Sequence, residues 1–158
     1  MSPLIISTLT FVLLLVGSCS SQPTDPKPEW SLDLKTSGGF AGVGRGNLSV
    51  NHEGRFECSY LERQEVKKGA SGTLKLVQLK LISDAVAQLD PNGWNKPGLN
   101  VAAPDAFGYK LEFHRGTDKN SVFAAVWYDN TAEQLPDDLK KLSDTLLQTM
   151  TSSCGGRH

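Results

Sequence analysis

The side chains in this chain that could do chemistry are few and dispersed. Histidines stand at His52, His114 and His158, none with a partner at metal-binding spacing and none beside a serine or cysteine in a nucleophile motif. That leaves a metal or hydrolytic site only if the fold assembles one from distant positions. Glu53, Glu57 and Glu62 lie close enough in sequence to raise acid/base chemistry, but carboxylates spaced along a polar strand read first as a solvated face. The sequence therefore points to no catalytic residues, no cofactor and no metal.

The densest unusual segment is Ser37-Gly38-Gly39-Phe40-Ala41-Gly42-Val43-Gly44-Arg45-Gly46. A phosphate cradle needs such glycines to open a helix whose first amides face the anion, usually with a Lys-Ser or Lys-Thr pair. Here they fall between two strand-like segments, so the ordinary reading is a turn with several residues at positive φ. Phe40, held among those glycines, is then an apolar side chain on a tight loop. Asn47-Leu48-Ser49 matches a glycosylation acceptor, which matters only where the transferase exists.

The three cysteines, Cys19, Cys58 and Cys154, fall in different settings. Residues 1–18 carry no charged side chain, and Leu4 to Val16 is apolar apart from two threonines and a serine, as in a secretory signal. The run is too short for a comfortable membrane span. It ends in Leu15-Val16-Gly17-Ser18-Cys19, which resembles the lipobox of bacterial lipoproteins, in which the cysteine is acylated and becomes the new N-terminus. No Lys or Arg precedes the run. The competing readings are a plain secretory signal with an incidental cysteine, or a buried N-terminal helix. Ser20 after the cysteine resembles outer-membrane sorting in Gram-negative bacteria. With Cys19 lipidated, Cys58 and Cys154 remain as an even pair in an oxidising compartment. They either form a disulfide that pins the tail to the sheet or stay as two free thiols, since proximity is not visible in sequence.

The elements that must position these residues follow from periodicity. Residues 20–28 are polar and proline-rich and read as an extended tether. Trp30, Leu32 and Leu34 alternate as a strand, as do Leu48 with Val50, and Phe56, Cys58 and Tyr60, giving an antiparallel meander of three strands. Lys67 to Gly72 reads as a soluble break. Leu79, Ile82, Val86 and Leu89 then share one helical face, which Pro91 and Gly93 terminate. The start of that helix is open, because Leu74 and Leu76 would also suit a strand.

Asp90 to Ala106 is a long loop with three prolines and two glycines, of the kind that is functional or mobile. Phe107, Tyr109, Leu111 and Phe113 alternate as a strand, Gly116 to Asn120 turns, and Val122 to Tyr128 reads as a central strand covered on both faces. Pro136 suits the first position of a last helix, with Asp137 and Asp138 at its positive end. Leu135, Leu139, Leu142, Leu146 and Met150 form its core stripe. The order βββαββα predicts an α+β domain over 29–151, a mostly antiparallel sheet of about five strands with two helices on one face, and a frayed tail over 152–158.

Two sequence features together resemble the emfourin family, small bacterial inhibitors of thermolysin-like zinc metalloproteases. They are the motif Ser37-Gly38-Gly39-Phe40-Ala41-Gly42 and the stretch Pro104-Asp105-Ala106-Phe107-Gly108-Tyr109-Lys110-Leu111, set in that order of elements. The likeness runs from Trp30 to Met150. The export signal and a longer Arg55 to Ser71 segment distinguish this chain from the family's usual form. The resemblance implies a cofactor-free blocker that occupies a protease cleft.

Such a cleft prefers a bulky apolar side chain, so a blocker should present one on a stiff loop. Gly38, Gly39, Phe40 and Ala41, with Leu89, Trp94 and Leu99, are the candidate contact residues. Core packing is the competing reading for Leu89, Trp94 and Leu99, and capping of the sheet edge for Phe40. The expected partners are a thermolysin-like metalloprotease and the membrane, the latter through a lipid anchor. With 16 basic and 17 acidic residues and a net charge of -1, nothing favours nucleic acid or an anionic surface. The rival expectation is an adaptor lipoprotein that binds an envelope component; a small hydrolase is a third.

Overall fold

The computed structural model describes residues 29–38, 46–62, 65–94, 96–116 and 121–155. The chain is an α+β fold, with six strands in one antiparallel sheet and two main helices. The strands are β1 (Trp30–Gly38), β2 (Asn47–Asn51), β3 (Arg55–Glu62), β4 (Glu65–Thr73), β5 (Phe107–Arg115) and β6 (Val122–Tyr128), in the spatial order β4-β3-β2-β1-β5-β6. The helices are α1 (Leu76–Val86) and α2 (Asp137–Ser153). The signal at 1–18, Cys19, the 20–28 tether, His158, the rest of the turn after Gly116 and three of the loop candidates, Gly39, Phe40 and Ala41, lie outside the described residues.

Alternation decides which face is buried. Trp30, Leu32 and Leu34 of β1, Tyr109, Leu111 and Phe113 of β5, and Ala125 and Trp127 of β6 all point to one side and are buried under the helices. The register stacks them: Leu34 lies opposite Leu48 and Leu111, and Leu111 opposite Ala125. The other face is a polar ladder. Ser49 donates to Asp33, Lys35 and Lys110 both reach Glu112 at 3.2 and 2.8 Å, and His114 Nε2 lies 3.6 Å from Asp33.

The helices cover the apolar face antiparallel to one another. Gln78 near the start of α1 donates to Ser152 near the end of α2, and Lys141 in α2 donates to Gln88 just past α1. Ile82, Ala85 and Val86 of α1 and Leu139, Leu142, Leu146 and Met150 of α2 are buried. Each large aliphatic side chain so buried contributes roughly 1.5–3 kcal/mol. Leu89 and Leu135, which extend the two stripes in sequence, are buried just outside the helices.

Four expectations need correction. Lys67 to Gly72 is not a break but most of β4, hydrogen-bonded to β3 from Arg55 opposite Thr73 to Glu62 opposite Glu65. Nearly every residue of β4 is exposed, so no apolar alternation marks it, and backbone hydrogen bonds carry its pairing. Val122 to Tyr128 is an edge strand with one buried face. Its apolar run misleads because Val122, Ala124 and Val126 point outward and are exposed.

Pro136 is the N-cap of α2, one position before its expected place. The tail is not frayed at 152–154: α2 continues to Ser153, and Cys154 is disulfide-bonded to Cys58 in the middle of β3. Opposite Cys58 the β3–β4 register shifts by one residue, and a Cβ on Gly69 would lie 3.2 Å from Cys58 Cβ and from its carbonyl oxygen. A residue without a side chain is what fits beside the bridge.

Candidate binding loops at one end of the sheet

β1 runs from the chain's entry at Glu29 to the glycine-rich segment, so the two lie at opposite ends of the sheet. At the far end the backbone makes a close approach that only glycine permits. Gly38, the last residue of β1, has φ +85°, and a Cβ there would sit 2.5 Å from the carbonyl oxygen of Ala106. Gly38 is paired with Phe107 at the start of β5. Gly38, where the glycine-rich segment begins, and Ala106, where the long loop ends, are thus brought side by side though distant in sequence.

The base of the glycine-rich connection is clamped by side chains. Thr36 Oγ1 donates to the carbonyl of Gly46 at 2.6 Å, and the Thr36 amide donates to Asn47 Oδ1 at 3.2 Å. Asn47 Nδ2 in turn donates to Ser59 Oγ at 3.1 Å. The amide of the glycosylation-like triplet is therefore half-buried and engaged in holding the turn.

The Asp90 to Ala106 loop is held along its length and contains one short 3-10 turn, Pro91–Gly93. Asp138 Oδ2, in the first turn of α2, accepts the Asp90 amide at 2.9 Å and the Trp94 indole N–H at 3.4 Å. Thr131 Oγ1 donates to the Leu99 carbonyl at 2.7 Å. Asn130 Nδ2 donates to the Val101 carbonyl, and its Oδ1 accepts the Ala103 amide. Asp105 adopts φ +62°, a left-handed conformation that Asp tolerates better than most residues. This is a stiff loop, as a docking loop would need to be.

Trp94, Leu99 and Leu89 are 1%, 3% and 8% exposed, so the structure places all three in the core; Trp94 packs against Phe113 at 6.2 Å between ring centroids. The exposed apolar side chains at this end are ones that sequence reasoning passed over. Val101 on the long loop is 61% exposed. Leu61 and Val66 face each other across the β3–β4 hairpin, which projects beyond the start of β2. Leu61 and Val66 sit in segments too polar overall to stand out, and Val101 sits in a loop without periodicity.

Among the described residues no catalytic groups converge on one place. Between the long loop and β6 lies a depression of about 540 Å³ lined by Trp94, Lys96, Pro97, Leu99, Asn100, Ala124 and Val126, with one charged side chain and no carboxylate or histidine. His114 lies on the open sheet face, Glu53 pairs with Arg55 at 3.1 Å, and Glu57 and Glu62 are exposed. Among the described residues no group of three or more His, Cys, Asp or Glu could hold a metal ion, and no helix is long and apolar enough to cross a membrane. Glu112 is the notable titrating group: hydrogen bonding to Lys110, and then Lys35, holds its carboxyl below the usual range against a desolvation that opposes the shift. Comparison with known proteins finds no family model, no curated protein and no solved structure that matches the chain.

Proposed function

We propose that this chain is an exported, lipid-anchored bacterial protein whose single domain presents the end of the sheet opposite its anchor to another protein. The reading's sharpest form is inhibition of a thermolysin-like zinc metalloprotease by occupation of its cleft. The observation that carries it is the polarity of β1. The anchor enters at Glu29, and nine strand residues later Gly38 sits against Ala106, so Gly38 and the last part of the long loop are held roughly 30 Å from the membrane-side end. The lipobox-like Leu15 to Cys19 and the emfourin-like Ser37 to Gly42 motif support the same division of labour. The Cys58–Cys154 disulfide fits an oxidising compartment.

Burial of Leu89, Trp94 and Leu99 removes three of the proposed apolar contacts and favours a second reading. In it the same surface belongs to an adaptor that binds an envelope component without inhibiting a protease. Phe40, Leu61, Val66 and Val101 are the side chains left to an inhibitor.

The test titrates a thermolysin-like protease with the domain starting at Glu29, beside Phe40→Ala and Val101→Ser versions. Stoichiometric loss of activity, relieved by either substitution, supports the inhibitor and identifies its contact. Full activity at excess domain across several such proteases removes the inhibitor reading and leaves the adaptor.

A further inference from the structure

The outward face of α1 carries three large apolar side chains beside a single ion pair. Leu76, Val77 and Leu81 are 80%, 72% and 52% exposed. At about 100° per residue they fall inside an arc of about 140° that also holds Lys80 and Asp84, opposite the arc of Ile82, Ala85 and Val86 that packs on the sheet. Lys75 precedes the first turn and Lys80 pairs with Asp84 at 2.7 Å. Lys80 and Asp84 neutralise each other within that arc, which leaves three large exposed apolar side chains to enter a membrane interface, with Lys75 beside them to reach the headgroups.

Hydrogen bonds fix where this face lies. The Glu29 carbonyl accepts from Gly116, the Trp30 carbonyl accepts from His52, and the Gly54 carbonyl accepts from Leu74, two residues before α1. The chain's entry and the first turn of α1 therefore flank the same β2–β3 turn, a few strand spacings or about 15 Å apart. The ten residues from Cys19 to Pro28 span at most about 35 Å, so an acyl chain on Cys19 keeps this end of the domain within reach of the bilayer.

We infer that the apolar face of α1, through Leu76, Val77 and Leu81, docks on the lipid surface to which Cys19 is anchored and so orients the domain with its loop end outward. The inference rests on the lipoprotein reading. With a net charge of -1, docking comes from apolar insertion and persists in high salt.

The experiment uses the full chain purified from a bacterial envelope and reconstituted in phosphatidylethanolamine and phosphatidylglycerol vesicles that contain a diazirine-bearing phospholipid. After illumination, the labelled peptides and the mass of the N-terminal peptide are read together. The expected result is an acylated Cys19 and label on the peptide spanning Leu76 to Leu81. That label should survive high salt and be lost from a Leu76→Ser, Val77→Ser, Leu81→Ser variant whose thermal midpoint is unchanged. An acylated Cys19 with label only at the N-terminus, or with α1 cross-linked to a second copy, overturns the docking and leaves the anchor standing. An unmodified Cys19 overturns the anchor, and the docking with it.

Discussion

Breaking the bridge between Cys58 and Cys154 should remove a large share of the domain's stability. The cysteines are 96 residues apart, so the bond closes a loop through most of the domain and restricts the unfolded chain accordingly. For a loop of that length the chain-entropy relation gives about 4.7 kcal/mol at 25 °C, against a total stability of roughly 5–15 kcal/mol for a typical domain. At about 4 °C per kcal/mol for a domain of this size, the midpoint should fall by about 15–20 °C. The assay is scanning calorimetry of the domain starting at Glu29, before and after reduction and alkylation, with a Cys58→Ala, Cys154→Ala double variant as the genetic counterpart. Since Cys19 is absent from that domain, a thiol titration of the unreduced protein should count none. Two reactive thiols would refute the bridge itself, and a midpoint shift below about 5 °C would refute the loop-entropy reasoning.

Two further outcomes follow from particular contacts. Gly38→Ala should cost about 2–3 kcal/mol, from an L-residue at φ +85° and a Cβ 2.5 Å from the Ala106 carbonyl; an unchanged urea midpoint would mean that Gly38 does not approach Ala106. Glu112 has a folded pKa below its ordinary value because Lys110 and Lys35 donate to it. Its contribution is therefore present above about pH 4.5 and lost as pH falls through the lower folded value. At a surface site it amounts to under about 1 kcal/mol, so Glu112→Gln should flatten the acid limb of stability against pH while changing neutral stability little. An NMR titration of the Glu112 carboxyl at or above the ordinary value would contradict this.

The elements legible in the sequence are those whose apolar spacing one buried face enforces. Trp30, Leu32 and Leu34, the Phe107 to Phe113 alternation and the Leu139 to Met150 stripe all land in the core. The sixth strand was not legible because β4 buries neither face: Glu65 to Thr73 has charges, glycines and no alternation, and pairs through its backbone. β6 reads as a central strand for the opposite reason, since small and β-branched residues on its exposed side imitate a doubly covered strand. The long Arg55 to Ser71 segment holds the β3–β4 pairing that adds the extra edge.

The loop end is half legible. A tight turn at Gly38 could be read from glycine content, but its partner, the carbonyl of Ala106, comes from a segment 68 residues later and only the β1–β5 register reveals the approach. Trp94 and Leu99 drew attention because large apolar residues in a proline-rich loop look like docking anchors. Their burial has a different cause. Asp138 and Thr131 hold the loop by its amides, indole and carbonyls, and that tethering folds the apolar side chains beneath it and leaves Val101 outside. A loop fastened this way presents a fixed backbone with few protruding groups. On the proposed reading, a partner of this end would read shape and main-chain atoms as much as side chains, so Gly38→Ala should weaken its binding more than truncation of Val101 alone.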